Sequence, residues 1–597
     1  MATILYPREK LMDLLASPGD PLIPELDDAV AHPDRYAGGE PARLLFETGA
    51  GPLADIETIP QLSYTLYRNV QRYTERFPYQ DARNGRRTKM ALAAMKVVLS
   101  DDTYLDLLHD YVWATCEETN WMLPQVDHMG IELRVPATAM DLAEIIVALG
   151  EKIEDKARDR VRQEIEERLL VPYLRHPDGY HWYRGTNNWN GVINGAIGCC
   201  FLLLEKEAER LARALEVVLT GLDAFLETAF ESDGASGEGT GYWMYGLSNF
   251  ICFSEMLRNR TGGAIDLLAT DRVRQIARYP TDVMLSSGRY FAYSDCREGV
   301  SLEVGLVTRL VERTGLEDLR GALADPAGIS MGLGRFHTAW RNTLWWDGVR
   351  PDPVQLEDCW LRDSDVVRLV GRTRDGSPVA LAAKAGHNGV SHNHNDIGGF
   401  VLHADGETLL CDPEGGNYDL YRRYGHDRNL FANSIGHSVP KIGDTPQSKG
   451  TAFAGKVTSC ETIGDGKRVV MEIAGAYEVP GLEGVDRVLT LSEGELVIED
   501  RFTFDGNGQD IEEAFVTWLE PAVDGSSARI PDERHDLELN IEEPDGAAWR
   551  VEAFEEESEA NRKKGVLRRL AFSTRGEASF VTRVRATLIP KPVSGQP

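Results

Sequence analysis

The stretch that indicates how this chain is organised runs from Gly386 to Ser438. It reads GHNGVSHNHNDIGGF over 386–400, LLCDPEGGNYDLYRRYGHDR over 409–428 and NLFANSIGHS over 429–438. Imidazole is the commonest metal ligand and the usual proton carrier near neutral pH, so a cluster of histidines among Asp, Asn and Tyr predicts a functional centre. The cluster holds six of the chain's 13 histidines, at His387, His392, His394, His403, His426 and His437.

Short apolar runs surround this stretch and continue to the C-terminus. They often alternate with polar residues and are separated by Gly, Asp, Asn or Pro, which is typical of strands in antiparallel sheets. We therefore predict an antiparallel β-sandwich of two or more sheets over residues 346–597. The twelve runs are VVRLVGRT, PVALAAK, GGFVLH, ETLLC, RVVMEIAG, DRVLTLS, ELVIEDRFTF, AFVTWL, DLELNI, WRVEAF, LRRLAFS and SFVTRVRA.

Toward the N-terminus the pattern becomes helical. Segments such as ATAMDLAEIIVALGEKIEDKARDRVRQEIEERLLVPYL and EKEAERLARALEVVLTGLDAFLETAF carry apolar residues three and four positions apart with charges between them. This pattern predicts packed antiparallel helices over residues 61–345. Residues 1–60 are rich in Pro, Gly and Asp and predict an irregular lead-in with short helices. The chain is thus an α+β multidomain protein.

Composition and charge limit the partners. The chain has 597 residues, more than one hydrophobic core normally serves, and a formal charge of −31. Such a charge repels nucleic acid and anionic membranes at long range, so neither is an expected partner. A homo-oligomer is compatible with the sequence.

The cysteines and the N-terminal residues indicate the expected cellular compartment. The eight cysteines show no CxxC spacing, which is typical of reduced core residues. The first residues carry charges and no apolar run before a cleavage site, so we expect a cytoplasmic protein. Residues 185–204 are uncharged, but their asparagines favour a buried helix over a membrane span.

A metal site is predicted within the histidine-rich stretch. His392 and His394 are two residues apart, and on an extended segment both side chains would lie on one face. Asp412 and His437 follow, and two histidines with one carboxylate suit zinc or a similar divalent ion. Ile397 follows Asp396 and breaks a hydrolytic HxHxDH pattern, so we expect the metal not to activate water. A polar loop with locally bonded histidines is the alternative.

A second candidate site lies in the helical part. GTNNWNG over 185–191 places Asn187 and Asn188 beside Trp189, and DGASGEGTGYWMYG over 233–246 places Tyr242 and Tyr245 in what we expect to be a Gly-rich turn. Amide N–H groups donate to a carboxylate, and tyrosine can transfer a proton. Together with NWMLPQVDHMG near residue 120, these aromatic and amide-rich loops predict a sugar-binding cleft, with aromatic packing at helix ends as the alternative.

These motifs, with SHNHNDIGGFVL, LLCDPEGGNY and NSIGHS in that order, resemble the heparinase II/III-like polysaccharide lyases. The resemblance covers residues 60–590. It implies an incomplete α/α toroid joined to an antiparallel β-sandwich, with the active cleft between them. The implied chemistry is β-elimination on uronate-containing glycans, which leaves a 4,5-unsaturated uronate end.

The resemblance also implies roles for individual residues. Zinc, mainly structural, would be bound by His394, Asp412 and His437. The alternatives among Tyr245, Tyr242 and His392 for base and acid stay open, as does the choice of a further tyrosine from 418, 421 and 424. The implied catalytic residues are Asn187 and Asn188 for the substrate carboxylate, with Tyr245 and His392 for proton transfer, and the implied substrate-binding residues are Trp189, Glu238, Tyr242, Tyr424 and Arg428.

The sequence is compatible with three classes of function. We expect a lyase acting exolytically on acidic oligosaccharides. The segment YRRYGHDR, with Arg422, Arg423 and Arg428, is a candidate basic patch for such a substrate, and a solvated charge cluster is the alternative. A metal-dependent glycan hydrolase and a non-catalytic glycan-binding protein are the alternatives. The sequence indicates neither the particular uronate nor whether it is sulfated.

Overall fold

A computed structural model describes residues 4–17, 19–417, 420, 421, 425, 428–506 and 508–591. The chain divides into two compact units. The helical unit comprises Met1–Phe230, Tyr242–Arg278 and Ser301–Asp352, and the sheet unit comprises Glu231–Gly241, Tyr279–Val300 and Pro353–Pro597. The sheet unit therefore includes two segments that precede its main body by more than fifty residues.

Sixteen α-helices precede the main strands, and one short helix lies between late strands, among the described residues. A π-helical turn, Glu166–Leu170, joins α9 to α10. The helices are α1 Arg8–Leu15, α2 Pro24–Ala31, α3 Glu40–Thr48, α4 Ala50–Ala54, α5 Tyr64–Tyr73, α6 Arg76–Val98, α7 Leu105–Cys116, α8 Arg134–Ala148, α9 Asp155–Ile165, α10 Val171–Arg175, α11 Asn188–Leu204, α12 Ala208–Thr228, α13 Gly239–Arg260, α14 Asp271–Asp282, α15 Val304–Thr314, α16 Phe336–Leu344 and α17 Glu555–Ala560.

Helices α11 and α13 lie unusually close to each other. A Cβ on Gly191 would lie 2.5 Å from the carbonyl oxygen of Gly246, and one on Gly195 would lie 2.5 Å from the backbone of Asn249. Only glycine permits this approach, which explains the small residues in the uncharged segment. Most of α11 is buried, as predicted. No helix in the described part of the chain is long and apolar enough to span a membrane.

Twenty-two strands are described. They are β1 Met284–Ser286, β2 Arg289–Tyr290, β3 Leu302–Glu303, β4 Ile329–Ser330, β5 Cys359–Leu361, β6 Val366–Arg372, β7 Pro378–Lys384, β8 Gly386–Asn388, β9 Phe400–Ala404, β10 Glu407–Leu410, β11 Lys441–Ile442, β12 Gly450–Ile463, β13 Gly466–Glu472, β14 Leu482–Ser492, β15 Glu495–Phe504, β16 Gln509–Thr517, β17 Ala522–Asp524, β18 Ser527–Ile530, β19 His535–Glu543, β20 Arg550–Phe554, β21 Leu567–Gly576 and β22 Ser579–Pro590.

Three antiparallel sheets form the body of the sheet unit. Their strand orders are β10-β9-β7-β6-β5, β11-β16-β21-β20 and β17-β18-β19-β22-β15-β14-β13-β12-β8. One hydrophobic core joins them, and it contains Leu381, Leu489 and Phe515, one from each sheet. The rings of Phe400 and Phe515 lie 5.8 Å apart, centroid to centroid, in this core.

The predicted fold class is confirmed. The helical part is an incomplete α/α toroid, and an antiparallel β-sandwich follows it. Each of the twelve apolar runs contains or overlaps a strand. All eight cysteines are free thiols, and six of them are buried, in agreement with the expectation of reduced core residues.

Candidate active site

Asn187 and Asn188 lie at the start of α11 in the helical unit. Asn187 is its N-cap, and its Oδ1 accepts a hydrogen bond from the backbone N–H of Trp189 at 3.1 Å. Asn188 is buried, with 5% of its surface exposed, whereas Trp189 is half-buried and its ring lies 5.6 Å from that of His181. The Asn187 oxygen is occupied by the cap, so the group that this side chain can offer an anion is its NH₂ donor.

The two candidate tyrosines lie in a helix, and the predicted Gly-rich turn at this position is wrong. Tyr242 and Tyr245 belong to the first two turns of α13, which begins at Gly239. Tyr245 is 36% exposed, and Tyr242 is half-buried. A Cβ on Gly246 would lie 3.2 Å from Cβ of Asn188, so the residue after Tyr245 contacts Asn188.

Three tryptophans of the aromatic loops belong to the core. Trp121, Trp182 and Trp243 are at most 1% exposed. Each indole N–H donates to a backbone carbonyl, at 2.9 Å to Thr115, 2.9 Å to Ile131 and 2.8 Å to Ile276. For these side chains the alternative, aromatic packing at helix ends, is correct. The partly exposed aromatic groups of the candidate site are Trp189, Tyr242 and Tyr245.

The sheet unit brings His394, Asp412 and His437 together. One potential ligand atom from each lies within 4.8 Å of the others. His394 comes from the loop between β8 and β9, Asp412 follows β10, and His437 follows a short 3₁₀ turn. His437 Nδ1 lies 2.9 Å from Asp412 Oδ2, and the two imidazole centroids are 5.2 Å apart.

This cluster has the chemistry of a divalent-metal site. Two imidazoles and one carboxylate are a donor set that zinc accepts, with a fourth position for another ligand. His437 Nε2 is buried and has no hydrogen-bond partner among the described residues. Such a buried nitrogen costs free energy unless something binds it, so the residues fit a metal ion.

His392 lies beside the cluster, but on a turn. Its backbone has φ of +58°, so the expectation that an extended segment aligns it with His394 is wrong. Its side chain is 21% exposed, its Nδ1 lies 2.8 Å from Asp295 Oδ2, and its Nε2 lies 3.7 Å from Glu238 Oε1. The structure therefore places His392 and Glu238, both candidate site residues, side by side in the sheet unit.

Asp295 is a site residue that none of the sequence motifs indicated. Its carboxylate also lies 3.2 Å from His394 Nε2, so it contacts both histidines. Burial would raise the pKa of Asp295, but the hydrogen bonds from His392 and His394 outweigh burial and hold the pKa below its ordinary value. Asp295 ends the short apolar run RYFAYSD, the one local signal that could have drawn notice to it.

The remaining candidate residues differ in their burial and in their partners. Asp396, in the motif with the broken HxHxDH pattern, forms a buried ion pair with Lys384. Tyr421 donates from its hydroxyl to Asp295 Oδ1 at 3.3 Å. Arg428 is exposed. Tyr424, like the alternative Tyr418, lies outside the described residues.

Comparison with known proteins supports this architecture. Residues 360–586 match the family model described as "Heparinase II/III-like, C-terminal". A heparinase III crystal structure matches at 15% identity and a TM-score of 0.62, covering 86% of this chain and 77% of that one. A search of curated protein sequences gave no match.

Two further solved structures have the same fold. A heparan sulfate lyase from Pedobacter heparinus has 12% identity and a TM-score of 0.57, over 91% of this chain and 79% of that one. A chondroitin AC lyase variant from Streptomyces coelicolor A3 has 11% identity and a TM-score of 0.52, over 95% and 83%. The fold and the histidine cluster define a toroid-and-sandwich protein with a candidate metal centre. The match of residues 360–586 to the heparinase II/III-like C-terminal model agrees with the resemblance that the motifs indicated.

Proposed function

We propose that this chain is a β-eliminating lyase that cleaves a uronate-containing acidic glycan. The observation that carries the proposal is the packing of α11 against α13, which holds the buried Asn188 against Gly246, the residue after the exposed Tyr245. An amide that binds a carboxylate and a tyrosine, carried by these two packed helices, suit removal of the proton α to a uronate carboxylate. The solved structures with this fold include enzymes named heparinase III and chondroitin AC lyase.

The proposed reaction assigns a role to each candidate residue. Asn187 and Asn188 donate hydrogen bonds to the uronate carboxylate and stabilise the charge that develops on it as the C5 proton leaves. Tyr245 and His392 carry the proton transfers, one as the base at C5 and the other as the acid at the departing glycosidic oxygen. Trp189 and Tyr242 would offer apolar ring faces to the sugar, while Glu238, Arg428 and Tyr424 complete the substrate-binding set.

His394, Asp412 and His437 would hold a divalent ion, with zinc the metal that best suits the donors. When bound, the ion would supply a fixed positive charge that keeps the loop carrying His392 in place. The role is mainly structural, because elimination needs no activated water.

Substrate screening tests the proposal directly. Purified protein is mixed with heparan, chondroitin, hyaluronan and alginate oligosaccharides, and ultraviolet absorbance of the conjugated uronate product is followed. We expect absorbance to rise with at least one glycan and no incorporation of ¹⁸O from labelled water. Size analysis of early products separates exolytic cleavage, which we expect, from internal cleavage.

Tyr245→Phe is the informative variant. Loss of the phenol should lower kcat by about 10²-fold or more, the usual contribution of a positioned acid or base. Tyr73→Phe is the matched control, because Tyr73 is 60% exposed on α5. Full turnover by Tyr245→Phe would overturn its role. Label incorporation would instead indicate hydrolysis, and binding without any cleavage would indicate a glycan-binding protein.

A further inference from the structure

The Asp295 carboxylate bridges the two histidines of the motif His392-Asn-His394. Oδ2 lies 2.8 Å from His392 Nδ1, and Oδ1 lies 3.2 Å from His394 Nε2. Only 7% of the Asp295 side chain is exposed. Asp295 is 97 residues from His392 along the chain, yet both belong to the sheet unit. The contact is therefore made by the fold of this unit.

A carboxylate facing two imidazoles determines which nitrogen of each ring carries hydrogen. An ionised carboxylate only accepts, so the ring nitrogens that face it must donate. His392 then carries hydrogen on Nδ1 and presents Nε2 toward Glu238. His394 carries hydrogen on Nε2 and keeps Nδ1 for another partner. A carboxylate behind a metal-binding histidine is a recurrent arrangement that orients the ring and raises its basicity.

The backbone reinforces this arrangement. The N–H of Asp295 donates to the carbonyl oxygen of His392 at 3.1 Å. His392 has φ of +58°, which is costly for a residue other than glycine and persists only where surrounding contacts hold it. Gly415 packs on Asp295 so closely that a Cβ there would lie 2.8 Å from the Asp295 carbonyl oxygen. Asp295 and the His392 turn are thus fixed as one unit.

We propose that Asp295 is a positioning residue that couples the proton-transferring His392 to the metal-binding His394. One carboxylate orients both rings, so neither histidine can change its orientation without disturbing the hydrogen bond to the other. The His392 half of this proposal rests on the lyase function proposed above. The His394 half rests only on metal binding.

A double-mutant cycle tests the first half. Asp295→Asn keeps the shape but replaces one acceptor oxygen by a donor. We expect kcat to fall by about 10²-fold or more, with KM within about twofold, because the ring is misoriented but the glycan still binds. In a His392→Gln background, Asp295→Asn should lower kcat by less than about threefold, because its effect acts through His392. Independent, multiplying losses would overturn the proposal.

Metal retention tests the second half and needs no substrate. We expect Asp295→Asn to weaken binding of added Zn²⁺ by about 10-fold to 100-fold, measured by competition with a chelator. Unchanged zinc affinity would overturn the coupling. Where the wild-type chain cleaves no glycan, the lyase proposal fails, and this measurement alone decides the role of Asp295.

Controls separate positioning from general damage. Asp365→Asn is the matched substitution, since Asp365 also lies in the sheet unit and accepts a backbone hydrogen bond from Val457 at 3.1 Å. It should change neither the zinc affinity nor kcat. If Asp295→Asn fails to fold, Asp295→Ser replaces it. Serine removes the carboxylate and retains the backbone N–H bond to His392, and the same two quantities, kcat and zinc affinity, are measured.

Discussion

Gln447 binds Ile397 through both backbone groups of that residue. Its Oε1 accepts from the Ile397 N–H at 3.0 Å, and its Nε2 donates to the Ile397 carbonyl oxygen at 2.7 Å. The backbone carbonyl of Gln447 also accepts from the Asn395 side chain at 3.0 Å. Gln447 is 2% exposed. The loop that carries His392 and His394 is therefore fixed at its far end by one buried amide.

Replacing Gln447 should loosen this loop. Gln447→Met preserves length but leaves a buried N–H and a buried carbonyl of Ile397 without partners, at a cost of about 1–3 kcal/mol each. We expect the free energy of unfolding of the sheet unit to fall by about 2–4 kcal/mol, measured by urea denaturation. Gln509→Met is the control, because within the described part of the chain its side chain makes a single, long hydrogen bond, to the Pro480 carbonyl oxygen at 3.4 Å. Equal stability of the two variants would show that the hydrogen bonds of Gln447 to Ile397 do not stabilise the loop.

A buried arginine, Arg487 of β14, connects its sheet to the backbone near the histidine cluster. Arg487 is fully buried, its Nε donates to Asp500 at 2.9 Å, and its Nη1 donates to the carbonyl oxygens of Gly398 at 2.9 Å and Ser438 at 2.6 Å. Arg487→Met would leave the Asp500 carboxylate buried without its charge partner, which typically costs about 3–5 kcal/mol.

We expect a correspondingly lower midpoint of chemical unfolding for Arg487→Met. Arg501→Met is the comparison, because that side chain is 55% exposed and pairs with Glu499 at the surface. Its loss should cost less than about 1 kcal/mol. A loss of that size for Arg487→Met too would mean that the buried ion pair contributes little.

His403 should make the sheet unit sensitive to acid. Its Nδ1 lies 2.8 Å from Thr408 Oγ1, and its Nε2 lies 3.0 Å from Ser286 Oγ. Burial, with a smaller effect of the nearby Arg289 cation, lowers the pKa of His403 from 6.5 to about 3. Between these pH values the unfolded chain binds a proton at this site and the folded chain does not, so folding weakens as pH falls below 6.5.

His403→Gln keeps a hydrogen-bonding side chain and removes this proton uptake. Each unit of pH below 6.5 should cost the wild type about 1.4 kcal/mol more than the variant, so about 2 kcal/mol separates them at pH 5 relative to pH 7. Urea denaturation at both pH values gives the difference. Parallel pH dependence of the two proteins would show that the imidazole is protonated within the fold.

The strands were predictable where their side chains alternate. In β15 the buried residues recur at every second position, which is the pattern that the run ELVIEDRFTF shows. Strand β12 is longer, with 14 residues, yet Val457 is its one buried side chain. It is held in the sheet mainly by backbone pairing with β13 and β8. No hydrophobic period marks such a strand, so it could not be predicted from the sequence.

The candidate metal ligands were predictable from residue type and resemblance, but the groups around them were not. Asp295 and Glu238 precede the histidine motif by 97 and 154 residues, and they reach it because two early segments fold into the sheet unit. Periodicity is local and cannot show this. His392 meets His394 through Asp295 and a left-handed turn rather than through an extended strand.

Metal removal should destabilise the sheet unit through one identifiable cluster. An ion that binds only the folded state stabilises it by RT ln(1 + [L]/Kd), about 2.7 kcal/mol at one hundred times Kd. We expect chelation to lower the unfolding temperature of the wild type and added Zn²⁺ to restore it. His437→Gln removes the buried imidazole whose Nε2 has no described partner, and it should abolish both responses.

His32→Gln is the matched control for this measurement, since His32 is 52% exposed on the helical unit and should leave the response to chelator intact. A wild type indifferent to chelation would contradict the metal site altogether. A His437→Gln variant that still responds would place the ion on other ligands. Only loss of the response in His437→Gln alone ties the stabilisation to His394, Asp412 and His437.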